Sequence, residues 1–144
     1  MKSNQVLLGL DLGEKRVGLA VTDELGQMAF PLTTLDYQSQ SDFIEKLKKV
    51  VEEYRVRKII VGLPKTLKGE IGIAAKKIMK RVEGFRTMLN IEWELWDERL
   101  STKESERVLL SADISRARRK EVQDRLAAQR ILQSYLECRN KQGS

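Results

Sequence analysis

The sequence contains no histidine and only one cysteine, Cys138. Without histidine the chain has no Ser-His-Asp or Cys-His catalytic group and no histidine-bound zinc. A single cysteine cannot close an internal disulfide or build a thiolate metal cluster, and this sparing use of cysteine predicts a cytoplasmic protein. Any catalysis must therefore use carboxylates, lysine, hydroxyl groups, tyrosine, or a metal ion that is bound by oxygen ligands.

Long apolar runs and aromatic residues are scarce as well. No segment approaches the ~20 apolar residues of a membrane-spanning helix, so we expect no membrane association. The N-terminus lacks the basic segment, the apolar stretch and the cleavage site of a signal peptide, which again favours the cytoplasm. Aromatic residues make up 6% of the chain, which leaves little material for base stacking. Trp93 and Trp96 fall in a predicted strand, where packing in the core is the more ordinary role.

Size and charge favour a single globular domain with a polyanionic partner. The 144 residues are enough for one domain, and 41% hydrophobic with 33% charged residues is typical of a globular chain. We expect the domain to cover residues 1–138 and residues 139–144 to form a flexible tail. The net charge of +6 favours nucleic acid as the partner. Lysine- and glutamate-rich surfaces also occur in proteins from hot environments, so charge alone does not decide this.

The spacing of apolar residues predicts the element order βββαβαβαα, an α/β fold with a mixed sheet covered by helices. The first three strands are joined by short turns and form an antiparallel meander, in which Pro31 favours an edge position for the third. Ser39 or Ser41 caps the first helix. The predicted strands are 5–12, 16–22, 27–34, 57–62 and 91–96. The predicted helices are 41–54, 70–83, 101–110 and a last one that follows the basic stretch 116–120 and ends near 137.

Acidic residues stand at unusual places in this pattern. Asp11 interrupts the apolar first strand, Asp97 and Glu98 end the fifth, and Asp124 lies on an otherwise apolar face of the last helix. Each has an ordinary explanation: turn chemistry for Asp11, a strand-end ion pair for Asp97 and Glu98, and an arginine partner or a rim position for Asp124. If gathered at one point, these carboxylates would repel one another, and a hard divalent cation would relieve that repulsion.

Four segments together resemble the YqgF family, a branch of the RNase H-like superfamily. They are VLLGLDLGEKRVGLAVTD, IIVGLP, WDERLST and RRKEVQDRLAAQRIL, in that order along nearly the whole chain. Members of this family are also known as RuvX Holliday junction resolvases and as pre-16S rRNA nucleases. The resemblance implies an RNase H-like fold, namely a five-stranded mixed sheet with three antiparallel and two parallel strands and with helices on both faces. It also implies a metal-dependent nuclease that uses Mg²⁺ or Mn²⁺.

The resemblance assigns the catalytic and metal-binding roles to Asp11, Glu98 and Asp124. In a two-metal mechanism Asp11 would bridge the ions, and the other two carboxylates would complete the site. Neighbouring side chains of a strand point to opposite faces of the sheet, so only one of Asp97 and Glu98 can join Asp11. The family pattern favours Glu98 and leaves Asp97 as the alternative ligand.

Basic residues close to these positions in the sequence are predicted to contact phosphates. In the loop after IIVGLP, Lys65 and Lys68 depart from the polar and acidic pattern of the family. A solvated loop or helix start is an equally ordinary role for such charges. The predicted nucleic-acid-binding residues are Lys15, Arg16, Lys65, Lys68, Arg99, Arg116, Arg118, Arg119 and Lys120.

The resemblance favours processing of the 5′ end of pre-16S rRNA as the function. Cleavage of branched DNA, as by a Holliday junction resolvase, is the first alternative, and a non-catalytic nucleic-acid-binding module is the second. The Asp-x-Gly turn also resembles the phosphate-binding turn of actin-like ATPases, but those proteins need two such lobes. The residues do not separate RNA from DNA, and both a monomer and a homodimer are compatible with them.

Overall fold

The computed structural model describes residues 5–64, 72–97 and 116–142. The helices in this part of the chain are α1 (Gln40–Tyr54), α2 (Ile73–Met88) and α3 (Arg116–Gln142). The strands are β1 (Leu7–Leu12), β2 (Arg16–Thr22), β3 (Ala29–Asp36), β4 (Lys58–Leu63) and β5 (Glu92–Asp97). The predicted helix over residues 101–110 lies outside the described residues. Within them, no helix combines the length and the apolar character needed to cross a membrane.

The five strands form one mixed sheet in the order β3-β2-β1-β4-β5. The pairs β1–β2 and β2–β3 are antiparallel, whereas β1–β4 and β4–β5 are parallel. The predicted α/β fold with an antiparallel meander and two parallel strands is therefore confirmed. Strand β3 lies at the edge, as Pro31 indicated, because proline has no N–H to donate to a second neighbour.

Helices cover both faces of the sheet, and the strands alternate between two cores. Leu8 and Leu10 of β1 pack with α1 and α2, where Phe43 and Phe85 are fully buried. Leu7 belongs to the core under α3. By the same alternation Gly9 and Asp11 face α3, so that β1 presents a carboxylate to this helix.

Helix α3 lies unusually close to the sheet because both surfaces carry small residues. A Cβ atom added at Gly9 would lie 2.9 Å from Leu132 Cβ, and one at Gly18 would overlap the carbonyl oxygen of Asp124. On the helix side Ala128 is fully buried. The alanines of α3 predicted a close approach from the helix side, and the glycines of β1 and β2 complete it.

The helix boundaries differ from the predicted ones in understandable ways. The hydroxyl of Ser39 accepts a hydrogen bond from the backbone N–H of Asp42 at 3.2 Å, which makes Ser39 the N-cap of α1. Helix α2 begins and ends later than predicted. Helix α3 includes the basic stretch 116–120 and continues to Gln142, so that residues 139–142, which we expected in a flexible tail, are helical. No glycine or proline interrupts 116–142.

Candidate metal-binding site

Two of the three predicted carboxylates come together where α3 crosses the sheet. Asp11 of β1 pairs with Gly18 of β2 across the antiparallel ladder. The backbone of α3 rests on Gly18 at Asp124, where no side chain would fit between sheet and helix. Asp124 therefore lies above the direct neighbour of Asp11, and the charges of the two carboxylates interact.

The electrostatics of Asp11 are those of a poorly compensated buried acid. Burial, and to a lesser extent the negative charge of Asp124, together raise the pKa of Asp11 from 3.8 to about 6. No ion pair joins Asp11 to a cation within the described ranges 5–64, 72–97 and 116–142. By contrast, Glu92 and Glu94 of β5 both form ion pairs with Lys58. Asp11 thus carries a desolvated charge that its described surroundings do not neutralise.

Asp124 has an arginine partner as well as a carboxylate neighbour. Its Oδ2 lies 3.5 Å from Nε of Arg16, and both side chains are about one-quarter exposed, at 24% and 22%. The ordinary explanation of Asp124, an arginine partner, is therefore realised. The same contact occupies Arg16, for which we predicted a phosphate contact and which keeps that role as a prediction. Arg16 holds Asp124 from the side of β2 and partly offsets the repulsion with Asp11.

The end of β5 bears on the choice between Asp97 and Glu98. Trp96 packs on α3, because its ring lies 5.3 Å from that of Tyr135 and its Nε1 donates to Ser134 Oγ at 3.2 Å. Asp97, the next residue of the strand, then faces the opposite side of the sheet. Alternation argues against Asp97 as the partner of Asp11. Glu98 lies outside the described residues and stays a prediction.

The donor set of the described residues fits part of a metal site. In the described part of the chain, no group of three or more aspartate, glutamate, histidine or cysteine residues could hold a metal ion. Asp11 and Asp124 supply two carboxylates, and their mutual repulsion is the condition that a hard divalent cation relieves. The predicted set of three therefore depends on Glu98 as the missing ligand.

The predicted phosphate contacts are only partly within the described structure. Lys15 is exposed in the turn between β1 and β2. Three of the others lie outside the described residues: Lys65, Lys68 and Arg99. Four lie in the first turns of helix α3, ahead of Asp124 in the same helix: Arg116, Arg118, Arg119 and Lys120. All of these contacts remain predictions.

Sequence reasoning missed one basic residue that the structure brings close to the site, Arg81. Its Nη1 donates to the carbonyl oxygen of Gly13, two residues after Asp11, at 2.8 Å. A signal was available, because Arg81 follows Ile78 and precedes Phe85 on the apolar face of α2. An arginine on an apolar helix face indicates a specific contact within the fold, which here is the hydrogen bond to Gly13.

The raised pKa of Asp11 predicts an unusual dependence of stability on pH. The unfolded chain releases this proton near pH 3.8, whereas the folded protein keeps it until about pH 6. The folded state binds more protons between these values, so the free energy of unfolding falls as the pH rises. We expect Asp11→Asn to stabilise the metal-free protein, and the gain to grow by about 1–2 kcal/mol between pH 5 and pH 8.

Urea denaturation in EDTA at both pH values measures this gain. Asp23→Asn is the control of opposite sign, because the backbone N–H groups of Gln27 and Met28 lower the pKa of Asp23. The ionised carboxylate of Asp23 stabilises the fold to the same extent at pH 5 and pH 8. Asp23→Asn should therefore lose the same stability at both pH values. A gain for Asp11→Asn that is equal at both pH values would contradict the burial of an ionised Asp11.

Known proteins are similar to this chain in sequence over most of its length. The RuvX family model, described as Holliday junction resolvase, matches residues 5–138. A "Putative pre-16S rRNA nuclease" of Thermoanaerobacter pseudethanolicus is 48% identical over 132 residues, which cover 91% of this chain and 95% of the relative. One of the same description from Desulforudis audaxviator is 42% identical and covers 92% of this chain and 94% of the relative.

Solved structures of low sequence identity share the fold. The fowlpox virus resolvase in complex with Holliday junction DNA has a TM-score of 0.56 at 13% identity, covering 93% of this chain and 98% of the resolvase. Thermus thermophilus RuvC with a Holliday junction substrate has a TM-score of 0.55 at 15% identity, covering 94% and 95%. With the family match over residues 5–138, the five-stranded mixed sheet and the paired carboxylates, the chain belongs to the RuvX family, which is also called YqgF.

Proposed function

We propose that the protein is a divalent-metal-dependent nuclease that hydrolyses phosphodiester bonds at Asp11, Asp124 and Glu98. The observation that carries this proposal is the position of Asp11, a buried carboxylate with a raised pKa beside a second carboxylate. If this position served only to stabilise the strand, an apolar side chain would stabilise the fold more than a buried carboxylate does. The family description as a resolvase and the nuclease names of the relatives support the same reaction class.

The described residues suit this chemistry in three respects. Asp11 offers its oxygens at the end of a rigid strand, and Arg16 orients Asp124 beside it. Above pH 6 Asp11 is ionised and ready to bind a cation, so cleavage should increase through this pH range. A bound Mg²⁺ or Mn²⁺ would supply an activated water and would stabilise the charge on the scissile phosphate. We propose the two-metal form of this reaction, with Asp11 contributing to both sites.

We propose the 5′ end of pre-16S rRNA as the substrate. The support comes from the names of relatives that are 40–48% identical over most of their length. The basic net charge of +6 suits a structured RNA. The protein would act in the cytoplasm, as a monomer or a homodimer, with the predicted basic residues contacting the RNA backbone.

Holliday junction DNA is the second candidate substrate. The description of the family model favours it, and two structural neighbours were solved with such junctions. A resolvase must cut two strands symmetrically, which requires two copies of the site. Junction cleavage therefore predicts a homodimer, whereas processing of the RNA is compatible with a monomer.

A cleavage assay with matched substrates separates these candidates. The purified chain is incubated with Mg²⁺ or with EDTA and a 16S rRNA fragment that carries its 5′ extension. The fragment with a mature 5′ end and a four-way DNA junction serve as the other substrates. We expect removal of the extension in Mg²⁺ alone and an intact junction. Cleavage of the junction alone would identify a resolvase. Binding of these substrates without cleavage in Mg²⁺, and again with Mn²⁺ in its place, would contradict the nuclease proposal.

A further inference from the structure

A cavity of about 740 Å³ opens on the sheet face that carries α1 and α2. Its walls include Leu12 at the end of β1, Pro64 after β4, and Ile78 of α2. This volume lies within the range of small-molecule sites, which are typically apolar with a few fixed polar groups. Leu12 follows Asp11 directly, so the cavity begins one residue from the predicted metal site, on the other side of the sheet.

The guanidinium of Arg81 is fixed at the wall of this cavity. It stacks on the ring of Tyr37 at 4.3 Å from the ring centroid, and its Nη1 donates to the carbonyl oxygen of Gly13 at 2.8 Å. These two contacts hold the plane of the guanidinium. The side chain is therefore ordered before any ligand arrives, which lowers the entropy cost of binding.

Two donors of the same guanidinium have no acceptor among the residues that the structure describes. Nε and Nη2 of Arg81 are buried, and neither has a hydrogen-bond partner among the described residues. Leaving buried donors unpaired costs about 1–3 kcal/mol for each group, and more when the group is charged. These two atoms form one edge of the guanidinium, the edge that binds two oxygens of a phosphate or carboxylate in parallel.

The charges around the cavity favour an anion. Lys77 and Arg81 line it, and Glu14 is the one acidic residue among its described lining residues. Lys77 and Glu14 are exposed, so a ligand can reach both. One phosphate would meet a net positive charge, while the apolar walls would accept a sugar or a base. A nucleotide combines these two chemical characters in one group.

We propose that the cavity binds one unpaired nucleotide of the nucleic-acid substrate, with its phosphate on the Nε–Nη2 edge of Arg81. The cavity opens at Leu12, the residue after Asp11, on the opposite face of the sheet, so a neighbouring nucleotide of a strand held at the metal site would reach it around the end of β1. The sugar and base of the bound nucleotide contact Leu12, Pro64 and Ile78. This inference rests on the proposed function for the identity of the strand, but the binding that it predicts does not require cleavage.

Binding of a labelled 12-nucleotide single-stranded RNA in EDTA tests the site without catalysis. Lys77 and Lys80 are both exposed lysines of α2, but only Lys77 lines the cavity. We expect Lys77→Gln to weaken RNA binding by roughly 2–5-fold and Lys80→Gln by less than about twofold. Glu14→Gln should strengthen binding. Equal effects of the two lysine variants would point to general charge attraction and would contradict the proposal.

Arg81→Lys keeps the charge and removes the two-donor edge. We expect it to weaken RNA binding by roughly tenfold or more. Since this variant also alters the contact with Gly13, Ala74→Phe is the second probe, because it fills the cavity and leaves Arg81 in place. Ala74 is exposed at the cavity wall, so the larger side chain does not enter the core. Unchanged RNA affinity in both variants would overturn the proposal.

Adenosine monophosphate and inorganic phosphate separate a strand site from a site for a free nucleotide or ion. We expect adenosine monophosphate to compete with the RNA. The affinities for RNA and for adenosine monophosphate should both fall when Arg81 is replaced. If Arg81→Lys weakened binding of adenosine monophosphate or phosphate but left the affinity for RNA unchanged, the proposal would be overturned. RNA affinity that depends on Arg81 in a chain that cleaves nothing would uphold the site and contradict only the nuclease function.

Discussion

Asp11→Asn is expected to reduce metal-dependent cleavage at least about a thousandfold, and at the same time to stabilise the metal-free fold at pH 8. A loss of this size corresponds to about 4 kcal/mol of transition-state stabilisation, which is within the range of a lost metal contact. Asparagine has the size of aspartate but cannot supply the anionic oxygens that a hard cation prefers. Activity and stability therefore change in opposite directions, which a merely structural residue would not produce.

Single-turnover cleavage of the RNA in Mg²⁺ measures the loss of activity, and thermal unfolding of the protein alone in EDTA at pH 8, followed by circular dichroism, measures the gain in stability. Glu94→Gln is the matched control, because it removes a carboxylate on the same face of the sheet that already pairs with Lys58. We expect this control to retain nearly full activity. Cleavage by Asp11→Asn at the wild-type rate would contradict the assignment of Asp11 as a metal ligand.

Gly18→Ala should destabilise the protein by roughly 2–4 kcal/mol, which is a large effect for one methyl group. Its Cβ would overlap the backbone carbonyl oxygen of Asp124, and a helix backbone cannot rotate away as a side chain can. The variant must therefore push α3 off the sheet, which separates Asp124 from Asp11. We expect cleavage to fall further than the loss of folded protein explains.

Gly84→Ala is the control for this experiment. Its Cβ would meet the side-chain amide of Gln40, which can move aside, and alanine is favoured over glycine within a helix by up to about 1 kcal/mol. Urea denaturation should show this variant to be as stable as the wild type or more stable. If Gly18→Ala proves equally harmless, α3 does not lie on the sheet as closely as described here.

Helix periodicity predicted that Asp124 points toward the sheet, whereas its meeting with Asp11 was a hypothesis that also drew on the family resemblance. Strand alternation and helix periodicity are local rules, and both point these carboxylates toward the interface between sheet and helix. The missing N–H of Pro31 predicted its edge position. Strand alternation predicted a core position for Trp93, which is buried. The start of α2 and the end of α3 were misplaced by a few residues, because local propensity alone does not fix helix ends closely. Gly72, the N-cap of α2, was a usable signal.

Other features depend on contacts between distant parts of the chain. Gly18 is constrained by Asp124, and Arg81 bonds to Gly13 across 68 positions. No local pattern reports such pairs, although an arginine on the apolar face of α2 was a usable hint. Glu98 is the reverse case: the family pattern was the main reason to choose it over Asp97, and the residue lies outside the described residues.

Thermal unfolding with and without Mn²⁺ at pH 8 tests most directly whether Asp11 and Asp124 hold a divalent cation. At ten times its dissociation constant, a bound ion stabilises the fold by about 1.4 kcal/mol, which raises the unfolding midpoint by several degrees. We predict this rise for the wild type and for Glu94→Gln, and its loss in both Asp11→Asn and Asp124→Asn. An equal rise in all four proteins would place the cation elsewhere and contradict the account.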